Sequence, residues 1–264
     1  MKPTKPRPPW IAAAVTVTAL TLATPTDAAG VCQVGVLNTS GINPATGLEW
    51  APGDTYRLVF VTSTTTAATS SDISTYNTFV NTVADNSTTY STLGDVNWFV
   101  VGSTATVDAR DNTGTNPTIS VGVPILRMDG SFAIANNYAD LWNGINNSHV
   151  TGQDYLTVHL DENGVVTTDD RVRTGSGGDG TAALDGRVLG GSGEATPKVQ
   201  TGRNYAPDFY GGLGGDGWMQ DWSELATDAG RVYAMSETLT VIPEPSSITL
   251  LGLAGLALLG RRRK

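Results

Sequence analysis

The sequence predicts one α+β domain carried between two export segments, and three observations predict it. Setting aside residues 1–28 and 243–264 leaves about 214 of the 264 residues, enough for one core-bearing domain and awkward for two. Runs of β-branched and aromatic residues bounded by glycine, proline and asparagine recur along that body, the pattern of short antiparallel strands in twisted sheets. Two further stretches space their apolar residues at three- and four-residue steps, the pattern of helices packed by one face.

In chain order, Lys2, Lys5 and Arg7 precede the apolar run Trp10–Ala23, and small residues around Thr26-Asp27-Ala28 offer a cleavage point after Ala28. That layout is a secretory signal peptide over residues 1–28, with a retained N-terminal anchor as the alternative. Cys32 follows Val31, where a lipoprotein needs a small residue, so the cysteine reads as a small hydrophobe or an unpaired thiol. The turn Pro52-Gly53-Asp54 leads into a strand over Tyr56–Thr62. Ser71 is the expected N-cap of a helix that buries Ile73, Tyr76, Phe79, Val80 and Val83. Trp98–Val101 is a second buried strand, ended by Gly102. A short helix over Asn136–Asn143 turns Tyr138, Leu141 and Trp142 inward and stops at Gly144.

Beyond it, Leu156–Leu160 and Val165-Val166 flank Asp161-Glu162-Asn163-Gly164, whose last two residues tolerate positive φ and signal a hairpin. From Thr174 to Gly217 glycine and polar residues prevail without periodicity, which predicts long functional or disordered loops. Arg231–Met235 and Thr238–Val241 close the fold, with the C-terminus leaving from the sheet edge. The exported domain thus occupies residues 29–242.

Charge and cysteine content narrow the function. Seven of the 16 Lys and Arg sit in the end segments, leaving the body nine positive against 23 negative charges. A net charge of about −14 argues against a nucleic-acid partner, which needs a basic footprint. One cysteine excludes a disulfide scaffold and any cysteine-based zinc site.

The far end is the most specific feature. Pro243-Glu244-Pro245 is followed by the apolar run Ile248–Gly260 and then by Arg261-Arg262-Arg263-Lys264. As a helix, that run reaches about 20 Å against a hydrocarbon core of about 30 Å, so it holds a membrane only marginally. Its basic tip stays cytoplasmic by the positive-inside rule, leaving the body outside. The segment 243–264 resembles the PEP-CTERM sorting signal of Gram-negative, exopolysaccharide-producing bacteria, with a simple tail anchor as the alternative. The resemblance implies an exosortase-type sorting peptidase as partner and transient contact of the C-terminal helix with the inner membrane. It further implies final placement on the cell surface or in the extracellular matrix.

The body carries Phe60-Val61-Thr62-Ser63, Ser70-Ser71-Asp72-Ile73, Tyr76-Asn77, Trp98, Ala109-Arg110, Pro124-Ile125 and Asp129-Gly130. Ile134–Gly144, Asp161–Gly164, Arg173-Thr174-Gly175 and Val232–Ser236 follow in that order. In sequence these resemble an uncharacterised family of secreted bacterial domains related to the C-type-lectin-like and endostatin-like fold. The resemblance spans about Gly53 to Val241. The disulfides of true C-type lectins are absent, as are the Glu-Pro-Asn and Gln-Pro-Asp triplets that bind calcium and sugar together, so sugar recognition by that mechanism is not implied.

Calcium is the cofactor the acidic body invites, through Asp161, Glu162, Asn163, Asp169, Asp170, Asp179, Asp185 and Asp216. None fits an EF-hand spacing, and the alternative is that these residues cap turns and solubilise the surface. Trp218 and Trp222, with Gln220 and Asp221 beside them, are the candidates for stacking on a polysaccharide; the alternative is one helical face turned into the core.

An enzyme is not expected. His149 and His159 have no cysteine partners and could complete a zinc site only with carboxylates, no Gly-x-Ser-x-Gly elbow is present, and Gly175–Gly180 lacks the lysine and helix of a phosphate loop. The expectation is a structural, adhesive or polysaccharide-binding envelope or matrix protein. A secreted hydrolase acting on extracellular polysaccharide is the alternative.

Overall fold

The centre of the structure is the run Thr55–Val61, in which every residue after the first is buried. The coordinates, a computed structural model, describe residues 30–32, 41–143, 158–167, 171–191, 196–204 and 215–243. Elements run β1 (Gly30–Cys32), β2 (Thr55–Val61), β3 (Thr66–Ala67), α1 (Ile73–Asp85), β4 (Trp98–Val100), α2 (Ala109–Asn112), β5 (Ile125–Arg127) and β6 (Ala133–Ala135). They continue with α3 (Tyr138–Leu141), β7 (Val172–Arg173), β8 (Lys198–Gly202), β9 (Trp222–Leu225), β10 (Ala229–Gly230), β11 (Tyr233–Ser236) and β12 (Leu239–Pro243).

β11 pairs antiparallel with the second half of β2, Tyr233 opposite Val61, and β12 with its first half, Leu239 opposite Tyr56. The register changes by one residue across Glu237-Thr238, as at a bulge. β5 runs parallel to β2 with Arg57 opposite Ile125, and β6 returns antiparallel to β5. β4 pairs with β11, and β1 with β12. β10 pairs with β3, and β7, β8 and β9 form a separate three-stranded sheet.

Because side chains alternate along a strand, β2 serves two cores. Tyr56, Leu58 and Phe60 pack with Trp98 and with Tyr76, Val80 and Val83 of α1. Val59 and Val61 join Ile134, Trp142, Trp218, Tyr233 and Met235 on the other side.

Helix α1 also covers the edge of the main sheet. Asn81 accepts from the Trp98 N–H at 3.0 Å and donates to its carbonyl at 2.7 Å. Asn77, one turn earlier, accepts from Val100 N–H at 2.9 Å, and Asn112 of α2 donates to the Val100 carbonyl at 2.8 Å. Three side-chain amides thereby occupy the β4 backbone groups that another strand would otherwise bond.

A mixed α+β build with few helices and several sheets is what the sequence predicted, with differences in detail. The cap of α1 is Asp72, not Ser71: its carboxylate accepts from Ser74 N–H at 2.9 Å and from Ser74 Oγ at 2.8 Å. α2 was not anticipated, because four residues carry no periodicity. The β2–β5 pair is parallel where antiparallel pairing was expected. The stretch 174–217 contains strand β8, concealed by its Lys, Gln and Gly content. The last strand does not lie at the sheet edge, since β1 pairs with it. The expected hairpin narrows to one bridge, Leu160 with Val166, around a turn in which Gly164 takes φ 75°. Residues 1–28 and the apolar segment 248–260 lie outside the described residues. Among those described, no helix is long and apolar enough to cross a membrane.

Candidate binding face

The three-stranded sheet carries the most exposed large aromatic side chain among the described residues. Trp222 opens β9 and is 60% exposed. It stands opposite Thr201 of β8, which stands opposite Arg173 of β7, so the three share one face. Two residues on from Trp222, Glu224 shares that face. Its carboxylate bonds Arg173 Nη2 at 3.1 Å and Arg171 Nε at 3.3 Å. The Arg171 guanidinium lies 5.3 Å from the centroid of the Trp222 ring. The ring is therefore flanked by a cation that is itself held by a carboxylate, which fixes its orientation with one flank still in water.

Arg173 anchors this arrangement from beneath. It is buried, and Gly230 makes room for it, because a Cβ there would fall 1.2 Å from Arg173 Nη1. Burial pulls the Arg173 pKa below its ordinary value, while the charges of Glu224 and Asp228 oppose that shift. Among the described residues Arg171 Nη1 and Arg173 Nε are buried without a hydrogen-bond partner.

The other sequence candidates separate. Trp218 ends a 3₁₀ turn, Gly215–Trp218, and is buried, its ring 6.1 Å from Trp142 and 5.6 Å from Tyr233. It belongs to the core, so the two tryptophans form neither one stacking surface nor one helical face. Gln220 is exposed and accepts from Gly178 N–H at 3.3 Å. Asp221 pairs with Arg203 Nε at 2.7 Å, which locks the entry to β9.

Asp161 and Glu162 are buried at a turn rather than opened toward an ion. Asp161 Oδ1 accepts from Asn163 N–H at 2.9 Å and Val165 N–H at 2.8 Å. The Glu162 carboxylate accepts from Ser63 N–H at 2.9 Å, from Ser63 Oγ and from Asn163 Nδ2. Asn163 Oδ1 accepts from Thr88 N–H at 2.8 Å. The turn thus ties the chain after β2 to the chain after α1. Asp169 and Asp170 lie outside the described residues, as does Asp216's side chain. Among the described residues no three His, Cys, Asp or Glu gather into a metal site.

Arg171 and Glu224 were missed from sequence because they lie 53 residues apart. The available signal was the alternation Arg171-x-Arg173 matched by Trp222-x-Glu224, which places a cation pair and an aromatic–acid pair on facing strands. Of the sorting residues, Pro243 closes β12, whereas Glu244, Pro245, Arg261, Arg262 and Arg263 lie outside the described residues.

Residues 241–264 match the family model of the PEP-CTERM protein-sorting motif. No curated protein matches the chain. The motif supports an exported, exosortase-sorted protein that is held transiently in the membrane before release.

Proposed function

We propose that this is a non-enzymatic envelope or matrix protein of a Gram-negative bacterium, whose C-type-lectin-like body presents the Trp222 face to extracellular polysaccharide. The observation that carries the reading is an exposed indole fixed by Arg171, Glu224 and Arg173 on a strand end. A rigid aromatic surface offers contact area at little cost in conformational entropy, and flanking Gln220, Glu224 and Arg171 can bond hydroxyl groups. The lectin-like assignment rests on the order of the sequence motifs and on the mixed α+β build. Calcium enters the reading through Asp169 and Asp170, since Asp161 and Glu162 already accept internal hydrogen bonds.

A pull-down with exopolysaccharide, with and without chelator, tests this. Wild-type protein is expected on the polymer and Trp222→Ala in the supernatant, with identical melting temperatures. Equal retention of both proteins would discard the Trp222 face, and new reducing ends would point to a hydrolase instead. Millimolar calcium raises the melting temperature only if the folded state binds it.

A further inference from the structure

The two poles of the main sheet differ. β2 and β5 run parallel in register, Arg57 opposite Ile125, so the segments leading into them lie at one pole. β12 runs antiparallel to β2, so the chain beyond Thr240 leaves at that same pole. Gly53 N–H donates to the Val241 carbonyl and Val241 N–H to the Asp54 carbonyl, both at 2.8 Å. Four residues, 244–247, separate Pro243 from the apolar run. Fully extended they span at most about 14 Å. While the sorting segment is in the membrane, this pole therefore rests at the headgroup layer.

The loop at this pole fits such a neighbour. The nine residues Asn116–Pro124 carry no charge, in a protein with a formal net charge of −9. Ile119 and Val121 are 80% and 79% exposed. The loop is held firmly: Asn116 accepts from Thr118 N–H at 3.0 Å and from Ile119 N–H at 3.0 Å, and Val121 accepts from Tyr138 N–H at 3.0 Å. Leu184, equally exposed, lies at the opposite pole, where Leu189 N–H bonds Ser103 beyond β4, and it is followed by Asp185 and Arg187.

We propose that the Asn116–Pro124 loop is a lipid-contacting tip, its Ile119 and Val121 entering the headgroup layer of the inner membrane while the sorting segment holds the chain there. The proposal rests on the sorting reading above and adds an orientation: Arg173 N–H of β7 bonds the Arg231 carbonyl just before β11, at the pole where β2 ends, so the Trp222 sheet faces away from the bilayer.

The test uses the chain from residue 29 with Cys32→Ser, carrying either Ile119→Cys or Leu184→Cys. Each is labelled with an environment-sensitive fluorophore and reconstituted into phosphatidylethanolamine–phosphatidylglycerol vesicles doped with brominated lipid. Both sites are exposed, so the label does not disturb the core. The expected result is several-fold stronger quenching at position 119 than at 184, lost when the domain is cut free of its C-terminal segment. Flotation with equal quenching at both positions overturns the tip and leaves the sorting reading standing. Failure to float overturns both. Quenching replaced by a concentration-dependent dimer that shields position 119 without vesicles assigns the loop to a second copy of the chain and overturns the lipid contact.

Discussion

Tyr76 lies buried on the inner face of α1, where its hydroxyl donates to the Ser70 carbonyl at 2.8 Å and accepts from Ser70 N–H at 3.0 Å. Burial pushes its pKa up to about 12, against the opposing pull of the Ser70 hydrogen bond. A folded value above the unfolded one of about 10 means that this contribution to stability is complete below pH about 10. It is then lost as pH rises toward about 12. Urea midpoints measured across that window should fall for the wild type and fall less steeply for Tyr76→Phe; identical slopes would refute the assignment. The two tryptophans offer a second contrast. Trp218→Ala should cost about 3–5 kcal/mol by emptying a packed site, whereas Trp222→Ala should leave stability within about 0.5 kcal/mol. Glu162→Ala leaves Ser63 N–H without its acceptor and should cost about 2 kcal/mol. Chemical denaturation measures all three. Composition and spacing placed two tryptophans in one segment, yet which points outward depends on where a 3₁₀ turn gives way to strand β9, and no local pattern marks that change.

Among the elements, α1 was legible because Tyr76, Val80 and Val83 repeat at helical steps, and β2 because β-branched and aromatic residues crowd it. The other side of α1 was not legible. Asn77 and Asn81 look like ordinary solvated positions, but their partners are the backbone groups of β4, which have no signature in sequence. Asn81→Ala should therefore do more than a surface change. It leaves the Trp98 N–H and carbonyl without partners, at about 1–3 kcal/mol, and bares a strand edge. A lowered urea midpoint accompanied by concentration-dependent light scattering is the expected result. Unchanged stability would show that solvent replaces the amide. β8 and β1 escaped notice for a different reason: β8 carries Lys, Gln and Gly and β1 has only three residues, so pairing with a distant partner rather than propensity makes each a strand.

At the scale of the whole molecule, the register sends the chain beyond β12 out at one pole of the main sheet, and the Arg173 N–H bond to the Arg231 carbonyl holds the Trp222 sheet at the other. The sorting motif begins inside the fold: residues 241–243 belong both to the matched segment and to β12, where Val31 faces Ile242. Val31→Pro removes a ladder donor from β1. It should raise hydrogen exchange at Ile242 and leave Val241, whose N–H is bonded to the Asp54 carbonyl, and Trp98 at the distant β4 unaltered. Unchanged exchange at Ile242 would mean that β1 does not protect the motif.

The pairing of Gly30 with Pro243 brings the first and last described residues opposite each other on neighbouring strands, about 5 Å apart. Topologically the body is almost a ring. A short linker sewing position 243 back to position 30, with the backbone nicked instead at the exposed Ala105-Thr106 bend, should give a circular permutant that folds the same way while bearing neither address.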